Sequence, residues 1–195
     1  MKNNQSNKTV VNIGLDISTT CTGITIQESK TGKLLLMKHF LMNNDKKFPD
    51  FWSKVDFINQ EIESICDPNW SIRLVAVEEN MKMFAAGRSS ADTIMTLAKF
   101  NGILCYLFYL KFGVKPTYVN VRTARSTLGL KINYKDKSKS TKQKVLAFIS
   151  NMHPEFPWEY KIVKGVKSLK RINEDMADSY VIAEASRLTY PIAYT

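Results

Sequence analysis

The stretch Val10-Val11-Asn12-Ile13-Gly14-Leu15-Asp16-Ile17-Ser18-Thr19-Thr20-Cys21-Thr22-Gly23-Ile24-Thr25-Ile26-Gln27 decides the fold. Its first seven residues are a mostly apolar run that suits a central strand, and the run ends on a carboxylate. Ser18-Thr19-Thr20 makes a polar turn, and residues 23–27 alternate as a second strand. Lys30-Thr31-Gly32-Lys33 is a hairpin-type turn before a third strand, Leu34 to Leu41. Three consecutive strands with short turns predict an antiparallel meander.

Outward from the meander, Phe51, Val55, Ile58, Ile62 and Ile65 fall at spacings of three and four, which predicts a helix over Asp50 to Cys66. Asp67-Pro68-Asn69 stops it. Arg73 to Glu79 reads as a buried strand whose exit carries two carboxylates. Ser89 or Ser90 can cap a long helix that runs to Phe112 and is apolar nearly all round. A strand over Thr117 to Val121 follows, and Arg122 to Leu130 carries no clear pattern. A basic stretch, Lys131 to Lys144, enters a helix ending near His153-Pro154. Residues 155–171 read as a loop, and a helix over Asn173 to Leu188 closes the pattern. No repeat or linker divides the chain, so residues 9–190 are expected to form one domain, with 1–8 as a flexible N-terminus. Strands first, then strands alternating with helices, predict an α/β sheet of mixed direction.

At 195 residues, 44% hydrophobic and 24% charged, the chain has the composition of a globular domain. Its formal net charge is +10 and its pI about 9.5, a balance that favours a polyanionic partner. Cys21, Cys66 and Cys105 form no CxxC pair, and no signal-peptide pattern precedes them. Reduced thiols and a cytoplasmic location are expected. His39 and His153 are isolated, which argues against zinc.

Four carboxylates stand in unusual places. Asp16 ends one apolar strand and Glu78 another, where an unpaired charge would be costly to bury. Asp175 and Asp178 are three apart at the start of the last helix, so both point to one helical face. A helix dipole, a polar strand exit and a turn former explain each in isolation. None of these explains why acids end two apolar strands. If the two strands are neighbours and the helix packs across their ends, the four side chains converge. Converging carboxylates repel one another unless a cation neutralises them, and hard oxygen ligands suit Mg²⁺ or Mn²⁺.

Gly14-Leu15-Asp16 through Gly23 resembles the opening motif of the RuvC-like junction resolvases, within the RNase H-like superfamily. Ala76-Val77-Glu78 is similar to the family's second motif, and Asp175-Met176-Ala177-Asp178 to its last. Order and spacing match across roughly Val10 to Leu188, which suggests a diverged, phage or mobile-element type member. The resemblance implies an RNase H-like fold, with a central five-stranded mixed sheet flanked by helices. It implies a Holliday junction resolvase, a homodimeric endonuclease making paired symmetric nicks in four-way DNA junctions. Two Mg²⁺ per active site, replaceable by Mn²⁺, would be held by Asp16, Glu78, Asp175 and Asp178, and Glu79 matches a non-ligand position. Lys142 and Arg125 match positions that contact the scissile region and the backbone. The sequence departs from the family at Ile17-Ser18, where Pro-Gly is common, and over Asn80 to Arg88, which is longer. The aromatic that enters the junction core would be Phe84, with Met81 and Met83 as rivals.

Two basic runs flank the acids: Lys131 to Lys144, including Lys139, Lys142 and Lys144, and Lys161 to Arg171. A solvated surface is the plain reading of any lysine run, and their position beside the acids favours phosphate tracking. Three other readings stay open. Another RNase H-like nuclease would keep the carboxylates and act on other branched DNA or structured RNA. A sugar-kinase or actin-type ATPase opens with a similar strand and turn but needs a second domain and a Gly-rich motif. A non-catalytic DNA-binding module has no use for four aligned acids.

Overall fold

A computed structural model describes residues 8–79, 91–133 and 135–192, so nearly all of the expected N-terminal tail lies outside it. The elements are β1 (Thr9–Asp16), β2 (Cys21–Glu28), β3 (Leu34–Leu41), α1 (Phe51–Ile65), β4 (Trp70–Glu78) and α2 (Ala91–Phe112). β5 (Thr117–Val119), α3 (Val121–Thr127), α4 (Thr141–Met152), β6 (Tyr160–Val163), β7 (Val166–Leu169) and α5 (Asn173–Thr189) complete the chain. Five strands form one sheet in the order β3-β2-β1-β4-β5. β1, β2 and β3 are the expected antiparallel meander. β4 lies parallel to β1 on its other side, and β5 parallel to β4, so the sheet is mixed.

Alternation along β1 decides what each face of the sheet holds. Val11, Ile13 and Leu15 join Ile24 and Ile26 of β2 in a core covered by α1 and α2, through Ile58, Ile62, Phe100, Leu104 and Phe108. The intervening residues, Asn12, Gly14 and Asp16, turn to the opposite face, where α5 packs with α3 and α4. Glycine lets α5 come close. A Cβ built on Gly14 would lie 2.5 Å from the Ser179 carbonyl, and one on Gly23 only 2.1 Å from that of Asp175. Thr25 and Ser179 then share a buried hydrogen bond of 2.8 Å across the contact.

Capping sets where the helices begin. Asp50 accepts from Ser53 N and Ser53 Oγ faces Asp50 N, a capping box that starts α1. Ser140 and Gln143 form a second box at 3.1 and 2.9 Å, which places Lys142 in the first turn of α4. Asn120 caps α3 by accepting from the amides of Arg122 and Thr123. This helix fills part of the unassigned stretch; at seven residues it is too short to show a periodicity.

One expectation changes. Residues 155–171 are not simply a loop, since β6 and β7 pair antiparallel as a separate two-stranded ribbon. Its strands are four residues each, Tyr160-Lys161-Ile162-Val163 and Val166-Lys167-Ser168-Leu169, with one lysine apiece and no regular alternation, so the apolar signal that marks a core strand is missing. α2, apolar nearly all round and long enough to cross a membrane, buries one stripe, including Phe100, Leu104 and Phe108, against α1 and β4. Met95, Tyr106, Tyr109 and Leu110 stay exposed on its other side.

Candidate active site

The carboxyl ends of β1 and β4 are neighbours, with Leu15 paired to Val77, so Asp16 and Glu78 leave the sheet side by side. α5 crosses beneath them from Asn173, brought close by Gly14 and Gly23, and presents Asp175 and Asp178 from its first turns. Three elements thus bring the four acids together, as the sequence pattern requires. Asp16 and Asp178 are buried, with Asp178 only 1% exposed.

Lys142 stands at the centre. Its Nζ lies 2.8 Å from Asp16 Oδ2, 2.7 Å from Asp175 Oδ1 and 3.5 Å from Asp178 Oδ2. Burial works against the ammonium, but the charges of Asp16, Asp178 and Asp175 outweigh it and hold its pKa above the ordinary lysine value. Burial pushes Asp16 well above the usual carboxylate range against the pull of Lys142, with Asp178 and Glu78 adding to the rise. Glu78 is raised by burial and by the charge of Asp178. Beside them, burial and Asp175 push the Cys21 thiol up, so it stays protonated and inert at neutral pH. The cluster is under strain from like charge, relieved by one lysine.

The structure assigns Arg125 a different place from the one expected. Its guanidinium is buried and donates from Nη2 to Asp178 Oδ1 at 3.0 Å, rather than facing a DNA backbone. Nothing in the sequence singles out this partnership, because the two residues lie 53 positions apart. Lys144 is likewise not free for phosphate: its Nζ donates to the carbonyls of Asn133 and Asp136 and pairs with the Asp136 carboxylate at 2.9 Å, stapling the loop before α4. Lys139 is exposed and lines a cleft of about 690 Å³ with Ser140, Lys161, Lys170 and Arg171. Phe84, with Met81 and Met83, lies outside the described residues.

A cleft of about 280 Å³ opens over Asp16, Glu78 and Lys142, walled by Ile94 and Leu97 of α2. A second, of about 540 Å³, reaches Lys142 and Asp175 from the side of Thr20, Cys21 and Arg171. Among the described residues no three acidic, histidine or cysteine side chains are gathered closely enough to form a ready metal cage. The acids surround the ammonium of Lys142 instead. The donor set nevertheless fits a hard divalent cation: it is all carboxylate oxygen, and the buried Asp178 Oδ2 has no hydrogen-bond partner. Withdrawal of the flexible Lys142 side chain would leave a negatively charged centre.

The fold is that of the RNase H-like α/β domains. Within that class it is similar to RuvC: T. thermophilus RuvC in complex with a Holliday junction substrate superposes with a TM-score of 0.59 at 16% identity, covering 90% of this chain and 91% of that one. A second Thermus thermophilus RuvC structure gives 0.54 at 18%, covering 90% and 92%. The yeast mitochondrial Holliday junction resolvase Ydc2 gives 0.53 at 14%, covering 92% of this chain and 78% of its own. No family model and no curated protein sequence matches this chain.

Proposed function

We propose that this chain is a metal-dependent endonuclease, a Holliday junction resolvase that makes paired symmetric nicks in four-way DNA junctions. The observation that carries the reading is the convergence of Asp16, Glu78, Asp175 and Asp178 from β1, β4 and α5 around one cationic point. The +10 charge and the basic cleft beside the acids suit a nucleic acid. The fold shared with a RuvC bound to a Holliday junction substrate extends that to branched DNA.

The four carboxylates would hold Mg²⁺, two ions per site, with Mn²⁺ as a substitute. Bound there, the metal supplies an activated water and neutralises charge on the phosphate. Asp16, which shares the cluster with Glu78, Asp175 and Asp178, would be one of the residues that hold the metal. Arg125 keeps Asp178 in position through its buried hydrogen bond. Lys142, once released from the acids, would be available to stabilise the charge that develops on the phosphate. Water attacks phosphorus in line and the bond from phosphorus to the 3′-oxygen breaks. The leaving oxygen takes a proton, giving a 5′-phosphate and a 3′-hydroxyl with no covalent intermediate.

Residues 9–190 act as one cytoplasmic nuclease domain in this reading, and the protein works as a homodimer. The exposed apolar residues of α2 supply the face that two copies would bury about a two-fold axis. Phe84 is the candidate for stacking at the crossover. A gel assay with a synthetic four-way junction, Mg²⁺ and a matched linear duplex tests the function. Selective, symmetric nicking of the junction is expected; equal cutting of the duplex at matched salt would point to a general nuclease.

A further inference from the structure

The β6–β7 ribbon has no role in the carboxylate site, yet its composition is unlike a passive connection. Residues 160–171 carry five basic side chains and no acid. Ile162 is 77% and Val166 67% exposed, near a tip formed by Lys164 and Gly165. Both tip residues have positive φ, 50° and 77°, as a two-residue hairpin turn requires. Asparagine or glycine tolerates that conformation best, so a lysine at 164 trades backbone comfort for charge at the tip. Pairing of Ile162 with Lys167 puts an apolar and a basic side chain together on one face, and the Lys167 ammonium lies 4.0 Å over the Tyr160 ring.

The root of the ribbon is fixed to the active-site helix. Asn173, fully buried at the start of α5, accepts from Glu159 N at 3.0 Å and donates to its carbonyl at 2.7 Å. Lys170 closes the other strand, its amide donating to the Glu159 carbonyl and its Nζ to the carboxylate, both at 2.9 Å. Asn173 precedes Asp175 by two residues, so the ribbon holds a set position relative to the acids. Lys161, Lys170 and Arg171 line the cleft of about 690 Å³ together with Lys139, and Arg171 also lines the cleft that reaches Asp175.

We infer that the β6–β7 ribbon is an arm that lies in the major groove of a DNA duplex leaving the active site, with Lys164 and Lys167 on phosphates and Ile162, on the same face as Lys167, against base edges. The major groove is wide enough for a two-stranded ribbon, whose strands lie about 5 Å apart. A purely basic arm complements the phosphates, while the exposed Ile162 provides a contact that phosphate attraction does not use. The inference rests on the reading of the substrate as DNA and adds an element that grips an arm rather than the crossover.

The test is fluorescence anisotropy of the full chain on a linear duplex and a four-way junction, in EDTA across a salt series. Lys164→Ala with Lys167→Ala should weaken binding to both probes and make the slope of log affinity against log salt shallower by about two. Ile162→Ser should weaken both several-fold and leave that slope unchanged. All three side chains are exposed, and unchanged melting temperatures would confirm that the fold is intact. Wild-type affinity in both variants overturns the arm. So does a result in which the serine variant alters only the mass of the particle in solution, which would make the ribbon a protein contact. Absence of junction preference in the wild type would instead count against the resolvase reading, because the arm is judged on the duplex as well.

Discussion

Lys142 and the acids around it make opposing demands on the folded chain. The ammonium relieves repulsion among Asp16, Asp175 and Asp178, but it stands where the proposed metal ions would have to sit. Asp16→Asn removes a central charge without changing shape, so it should preserve fold and junction binding while abolishing cleavage. Normal cutting by that variant would sink the two-metal assignment. Glu78 shows the cost of the cluster through pH. Its folded pKa is raised above the ordinary 4.5, so the native state binds its proton more tightly than the unfolded chain does. Its contribution to stability therefore falls as pH rises from about 4.5 through the raised value. Urea melts in EDTA should find Glu78→Gln more stable than wild type at pH 8, with the difference shrinking toward pH 4; a constant difference would mean that Glu78 is well solvated. Arg125→Ala acts in the opposite sense. It leaves the buried Asp178 carboxylate without its donor and should cost about 3–5 kcal/mol, read from the same melts. A loss near zero would return Arg125 to the surface.

At the scale of elements, α5 and the sheet make one device. The helix approaches β1 and β2 over glycine and small or polar side chains, which lets Asp175 and Asp178 reach the strand ends. Gly23→Ala would force a methyl group to within 2.1 Å of the Asp175 carbonyl, so α5 has to move. An overpacking penalty of about 1–3 kcal/mol is expected, together with a loss of cleavage larger than the stability loss alone explains. Melting curves and single-turnover rates check the two parts. An active, fully stable Gly23→Ala protein would show that the helix position is not what assembles the acids. α4 makes a comparable contribution through its capping box, which fixes where the helix starts and hence where Lys142 points.

For the whole molecule, the exposed side of α2 is the feature that one copy leaves unused. Tyr106 is 59% and Leu110 60% exposed, on a helix whose other side is core. Light scattering at micromolar concentration should therefore report about twice the 22.3 kDa chain mass. Tyr106→Glu with Leu110→Glu should return a monomer that nicks single strands without pairing the cuts. A stable, active wild-type monomer would remove both the interface and the paired-cut argument, leaving a single-strand nickase.

The sequence by itself determined the meander, the apolar strands ending in Asp16 and Glu78, and the helix carrying Asp175 and Asp178. Each is written in local periodicity and in the rarity of an acid at the end of an apolar run. It also marked Gly14 and Gly23 as part of a motif, although the reason, a helix packed against their missing side chains, is visible only in three dimensions. Tertiary structure alone decided the partners of the charged residues. Arg125 and Lys144 look equally available in a basic sequence, yet one is spent on Asp178 and the other on the loop at Asn133 and Asp136. The ribbon was hidden for a related reason. Its strands bury too little to leave an apolar pattern, and their pairing rests on backbone hydrogen bonds that composition does not record. Local pattern reports which residues must leave water; which charge meets which depends on contacts between distant segments, and only the folded chain sets those.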